Sequence, residues 1–228
     1  QKISADITVP GINNLLSFLG RQGHFWETLA LQRSDKVAIS TAIVEKHIKA
    51  GDTTIILDSG TTVEHVPFLL SQRGNVEANV NVKVYTNNLL AAVSVVPPPE
   101  NFNCTLLAGR IDPIYGATYN TDNIEAPYSG IQANVIILAA KAISFNKGPM
   151  VAKQDDHNRE FKKGLIGKAL QGAPDVRLII AVDWTKLSMD VAKRSGLRAV
   201  LSEEAWENVK NKSSFVLVTT EPPELKLQ

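Results

Sequence analysis

Short, nearly unbroken apolar runs recur along this chain, separated by stretches with helical spacing. Thr54–Leu57, Val82–Thr86, Asn103–Leu107, Asn134–Ala140 (NVIILAA), Arg177–Val182 (RLIIAV), Ala199–Leu201 and Phe215–Thr219 read as strands. Between them, Val37, Ile39, Ile43, Val44 and Ile48 follow the helical period. Ser34 or Asp35 can cap that helix, and Ala50-Gly51 ends it. Further helices are predicted from near Thr61 to about Gln72, from about Asn88 to Val95, over His157–Leu170, near Met189–Arg194, and from Glu203 to about Lys210. Pro97-Pro98-Pro99 is a stiff break, and residues 109–130, rich in Gly, Asn, Tyr and Thr, read as loop plus a short helix. Strands that are apolar throughout, rather than alternating, are buried on both faces. Their alternation with helices predicts an α/β fold, a Rossmann-like, mostly parallel sheet with helices on both faces. Residues 1–33 fit this pattern less well. Ile12–Leu19 has some helical spacing and Phe25-Trp26 read as anchors, so 1–33 is taken as an N-terminal arm and 34–228 as one α/β domain.

The chemistry concentrates where strands end. The strand Thr54–Leu57 feeds Asp58-Ser59-Gly60-Thr61-Thr62. Such a turn before a helix leaves backbone N–H groups unpaired, adds the partial positive charge of the helix dipole, and suits a phosphate or carboxylate. Gly60 permits close backbone approach and the hydroxyls add donors without bulk. The same residues are equally good helix caps, so both readings stand. GxxxxGK[ST] is absent, and so is GxGxxG after the strand. Thr86-Asn87-Asn88, Gly109-Arg110 and Asp183-Trp184-Thr185-Lys186 lie at other strand ends, where open α/β sheets bind ligands.

Composition narrows the classes. There are 24 basic and 23 acidic side chains, a net charge of +1, with no electrostatic footprint for nucleic acid or an anionic membrane. No apolar run is long enough to span a bilayer, and the opening QKISADITVPG lacks a secretory layout. The lone Cys104 forms no intramolecular disulfide and reads as a small buried hydrophobe; a cytoplasmic location is expected. His24, His47, His65 and His157 lack metal-ligand spacing, so no metal or cofactor is expected. The carboxylate pairs Asp155-Asp156 and Glu203-Glu204 are read as facing solvent.

With these residues in order, the chain resembles the C-terminal sensor domain of DeoR-family transcriptional regulators, whose fold group includes ribose-5-phosphate isomerase and CoA transferases. The matching segments are Lys36-Val37-Ala38-Ile39, Gly51-Asp52, Asp58-Ser59-Gly60-Thr61-Thr62, Thr86-Asn87-Asn88, Leu107-Ala108-Gly109-Arg110, and the late set Glu160, Lys163, Asp183 and Lys186. The resemblance implies a pocket for a phosphorylated sugar or similar metabolite. The Asp58–Thr62 turn would hold the phosphate or a hydroxyl with Asn87 alongside. Lys163 and Lys186 would supply charge, and Asp183 would accept from hydroxyls or orient Lys186. On the bland reading Lys163 belongs to a solvated charged face and Asp183 and Lys186 pair at the surface.

Three departures accompany it. No helix-turn-helix pattern is found in 1–33, so this chain alone is not expected to bind DNA. Arg110 replaces the second Gly of the family pair, where it would fill the pocket or contact phosphate. A strand that often bears Asp in the relatives begins with Asn134 and runs into Ala139-Ala140-Lys141. The expected function is metabolite binding in a homo-oligomer. The alternatives are an isomerase with Asp58, Glu160 or Asp183 as base, or a scaffold that has lost its ligand.

Overall fold

The computed structural model describes residues 31–74, 81–95, 98–172, 175–187 and 196–221. The segments Ile12–Leu19, Phe25-Trp26 and Met189–Arg194 lie outside them. The described elements run α1 (Arg33–Ala42), β1 (Thr54–Leu57), α2 (Val66–Gly74), β2 (Val82–Thr86), α3 (Leu89–Val93), β3 (Phe102–Leu106), β4 (Arg110–Asp112), β5 (Ala117–Tyr119) and α4 (Ala126–Ser129). They continue β6 (Val135–Ala139), β7 (Ala142–Ser144), β8 (Gly148–Ala152), α5 (Asp156–Gln171), β9 (Arg177–Ala181), β10 (Leu197–Ala199), α6 (Glu203–Lys210) and β11 (Phe215–Val218).

Six strands form the central sheet in the order β11-β9-β6-β1-β2-β3, with every neighbouring pair parallel. The chain moves outward from β1 to β2 and β3, then returns to the other side of β1 for β6, β9 and β11. The crevice between β1 and β6 is therefore the topological switch point. Successive residues of the central strands serve opposite cores. Ile55, Leu57, Val135 and Ile137 pack with Ile39 and Ile43 of α1 and its extension and Leu70 of α2; Ile56, Ile136 and Leu138 pack with Phe161, Leu165 and Ile166 of α5 and Trp206 of α6. Each such side chain, fully buried, contributes roughly 1.5–3 kcal/mol. An apolar core on each face is why the central strands β1, β6 and β9 lack polar alternation, whereas β2 and β3 toward the edge expose polar positions.

Several boundaries differ from those predicted. Helix α1 starts from Gln32, a left-handed residue (φ 53°) with no side-chain cap, rather than from Ser34 or Asp35. It widens into a π-helical turn over Ile43–His47, and Arg73 of α2 donates to the carbonyl of Val44 in that turn at 3.0 Å and to that of Ile48 just past it at 2.9 Å. Helix α2 begins at Val66, so Thr61 and Thr62 stand in a turn ahead of it. Residues 109–130 hold an antiparallel hairpin, β4–β5, before α4. A second sheet, β10-β8-β7, is antiparallel, and it takes the predicted strand near Ala199 out of the main sheet.

Asp155 is buried rather than solvent-facing. Its carboxylate caps α5 by accepting from the Asn158 amide at 3.2 Å. Asn134 accepts the amides of Thr53 and Thr54 at 3.1 and 3.0 Å and so fastens the start of β1. Cys104 is partly buried, and its thiol is pushed up to about 11 by that burial.

Candidate functional site

The Asp58 amide donates to the Ile137 carbonyl at 2.9 Å, continuing the β1–β6 ladder past the end of β1. The chain then turns at Gly60, whose φ of +150° and 2.5 Å approach of an added Cβ to the Ala139 Cβ exclude a side chain. Among the described residues, the amides of Gly60, Thr61 and Thr62 meet no protein acceptor. Asn88 braces the turn from β2, donating to the Gly60 carbonyl at 3.2 Å while its Oδ1 caps α3 at Ala91.

Beside this turn lies a cavity of about 380 Å³. Ser59, Gly60, Thr61 and Thr62 line one side, and Ala139, Ala140 and Lys141 follow from β6. Asn158 and Lys162 enter from α5, Thr185 and Lys186 from the turn after β9, and Ile114 and Tyr115 from the hairpin tip, with Leu31 at the rim.

Two of the lysines, Lys162 and Lys186, are held by carboxylates that stand off the lining. Lys162, 2 % exposed, donates to Oδ2 of Asp58, which is fully buried and also accepts the Ala139 amide at 3.1 Å. Burial raises the Asp58 carboxyl above its ordinary value, and Lys162 only partly offsets that. Lys186 reaches Asp183 Oδ2 at 2.9 Å and Thr62 Oγ1 at 2.9 Å. Burial pushes Asp183 upward, but Lys186 and the Thr185 hydroxyl outweigh it and the carboxyl rests below its usual value. Behind them, buried Lys36 of α1 is lowered to about 8 by burial and by Lys186. Glu64 is raised to about 7 by burial. Lys141 is lowered by burial, with Lys186 adding to the fall, and lies 5.3 Å above the Tyr115 ring.

The structure thus brings Ser59, Gly60, Thr61, Thr62 and Lys186 onto one wall. Asp58 and Asp183 stand behind it. Thr86, Asn87 and Asn88 are buried at the end of β2; Asn87 leaves both amide atoms unpartnered, but none of the three lines the cavity. Gly109 and Arg110 lie at the start of the hairpin. A Cβ at Gly109 would meet the Tyr119 carbonyl carbon at 2.3 Å, and Arg110 is exposed, so it does not fill the pocket. Lys163 points to solvent, its side chain 55 % exposed and 3.6 Å from Glu160. Lys162, the residue before it, takes the inward place. The buried positions of α5 are Asn158, Phe161, Lys162, Leu165, Ile166 and Ala169. That helical stripe includes 162 and excludes 163, a signal present in the sequence. Lys141 and Tyr115 carried no comparable motif.

His65 pairs with Glu64 at 3.4 Å, and its imidazole is lowered by burial and by Arg33. Among the described residues, no helix is long and apolar enough to cross a membrane, and no group of three or more His, Cys, Asp or Glu is placed to hold a metal.

No curated protein matches the chain. Ribose 5-phosphate isomerase A from Methanocaldococcus jannaschii shares 14% identity with a TM-score of 0.45, covering 70% of this chain and 56% of its own. A D-ribose-5-phosphate isomerase in complex with phospho-erythronic acid shares 16% with a TM-score of 0.43, covering 70% and 55%. The eIF2B delta structure from Chaetomium thermophilum shares 15% with a TM-score of 0.42, covering 94% and 66%. The chain thus spans little more than half the length of these isomerases, and at such identity the likeness concerns fold alone. A family model described as the DeoR C terminal sensor domain matches residues 31–188, well over half of the chain, and the chain belongs to that family.

Proposed function

We propose that the cavity at the β1–β6 crevice binds a small phosphorylated sugar or related anionic metabolite, and that the domain acts as its sensor. One observation carries this reading. Three lysines, Lys141, Lys162 and Lys186, line the cavity, and no described lining residue is Asp or Glu. An anion is the ligand that such a wall favours, and the Thr61 and Thr62 amides and hydroxyls supply the directional donors that a phosphate accepts. The cavity of about 380 Å³ suits a single sugar phosphate better than a dinucleotide. The described lining offers neither carboxylate nor imidazole as a general base, which favours binding over isomerisation.

The test is a thermal-shift screen with ribose 5-phosphate, other sugar phosphates, nucleotides, CoA esters and free phosphate. A ligand at about 100 times its dissociation constant adds roughly 2.7 kcal/mol of stability. A sugar phosphate is expected to raise the melting temperature, and Thr61→Ala is expected to reduce that rise. No shift with any phosphorylated compound contradicts the reading.

A further inference from the structure

Asp58 heads the motif by which the sequence points to a ligand, yet it has no place on the cavity wall. It is fully buried behind Lys162, which does line the cavity. Its Oδ2 is committed to the Ala139 amide and the Lys162 ammonium. Its amide is committed to the Ile137 carbonyl at 2.9 Å. Both strands flanking the switch point therefore fix this carboxylate, and it in turn fixes one end of Lys162. An ammonium carries three donors, so one spent on Asp58 leaves two for an anion in the cavity. A carboxylate placed directly against a phosphate would repel it; placed behind a lysine it orients the cation instead.

We propose that Asp58 is a positioning residue: it does not touch the ligand but aims the Lys162 ammonium at the ligand's phosphate group. This rests on the functional reading above and deepens it, because the motif carboxylate then acts on the anion and not on a sugar hydroxyl. Its Oδ1 is buried without a hydrogen-bond partner, so an effect on ligand hydroxyls would have to pass through that atom, and a hydroxyl-free probe separates the two roles.

The experiment is calorimetric titration of inorganic phosphate and of ribose 5-phosphate into the wild type, D58N, K162M and D58N/K162M. D58N is expected to weaken both probes by the same factor, roughly tenfold to hundredfold for a misdirected charged hydrogen bond. In the K162M background D58N is expected to cost nothing further, an outcome that a merely structural role does not produce. Three results overturn the proposal. These are a loss confined to ribose 5-phosphate, a further loss in the double variant, or unchanged affinity for both probes in D58N. Should D58N fail to fold, the double variant leaves no buried charge unpaired, and its affinity against K162M alone decides. If the wild type binds neither probe, the functional reading fails and the inference falls with it. If the wild type binds both and the variants depart from this pattern, the inference alone fails.

Discussion

Each end of the six-stranded sheet carries a cavity with charged side chains in its wall, and the larger of the two is at the end that ligands rarely use. At the amino ends of β1, β6, β9 and β11 a cavity of about 570 Å³ is lined by Lys49, Asp52, Asp175 and Arg177 among others, two cations against two carboxylates. Those charges close the fold. Arg177 binds Asp52 Oδ2 and the His47 carbonyl, each at 2.7 Å, and Asp52 also accepts the Lys49 amide at 2.7 Å. At the carboxyl ends the cavity is smaller, its wall holds three lysines, and Asp58 and Asp183, the partners of two of them, stand behind it. Volume does not identify the site. The proposed site rests instead on the sign of the wall and its place at the switch point.

Loss of Lys162 separates the two ends most strongly. Lys162→Met strands a fully buried carboxylate and is expected to cost about 3–5 kcal/mol in urea unfolding. Arg177→Met leaves Asp52 with its Lys49 amide bond and partial solvent, and about 1–3 kcal/mol is expected. Equal losses would erase the contrast.

Gly60→Ala comes next. With φ at +150° and Ala139 2.5 Å from the new Cβ, it is expected to destabilise by about 1–3 kcal/mol and to abolish any phosphate-induced thermal shift. Gly130→Ala, which meets nothing within 4 Å, is expected to leave that shift intact.

pH sharpens the contrast further. Lys36 faces Lys186, Asp183 and Glu64, and its folded value near 8 lies below the ordinary 10.5. A lowered lysine penalises folding below about pH 8, and the penalty lifts as pH rises from there toward 10.5. An anion in the cavity favours charged Lys36, so phosphate affinity is expected to fall as pH rises through about 8, and to fall less steeply in Lys36→Met. Glu64 has the opposite sense. Its folded value near 7 lies above 4.5, so its stabilising contribution is present at low pH and is lost as pH rises through about 7, and Glu64→Gln is expected to flatten that part of the stability profile. The smallest effect is expected at Lys163. Lys163→Met should change stability by no more than about 0.5 kcal/mol and leave phosphate affinity unaltered.

The middle of the central sheet was legible because burial on both faces writes itself as nearly unbroken apolar runs, and β2 because its β-branched and aromatic residues alternate with polar ones. β1 and β2 fall on the predicted residues, and β6 and β9 within one residue at their ends. The β7–β8 pair and the β4–β5 hairpin were not legible, and of β10 only the presence of a strand near Ala199 was, not its sheet. Most of these strands are three residues long, and β8 opens on Gly148-Pro149, so no apolar run marks them. In the candidate site, the strand-end turn falls where its small polar residues predicted a turn, although those residues read equally well as helix caps, and helix α2 begins only at Val66. What sequence order could not convey was depth. Asp58 and Asp183 share motifs with lining residues yet sit behind the wall. The choice between Lys162 and Lys163 turns on a 100° step around α5, which its apolar stripe resolves only when that stripe is followed through to Ala169.

The most direct test of where this domain meets its ligand is an amide NMR titration with ribose 5-phosphate. The account predicts saturable shifts at Gly60, Thr61, Thr62, Lys141 and Lys186, with Asp52, Asp175, Arg177 and Ser214 unmoved. Saturable shifts at the amino-end residues, or none at either end, would contradict it.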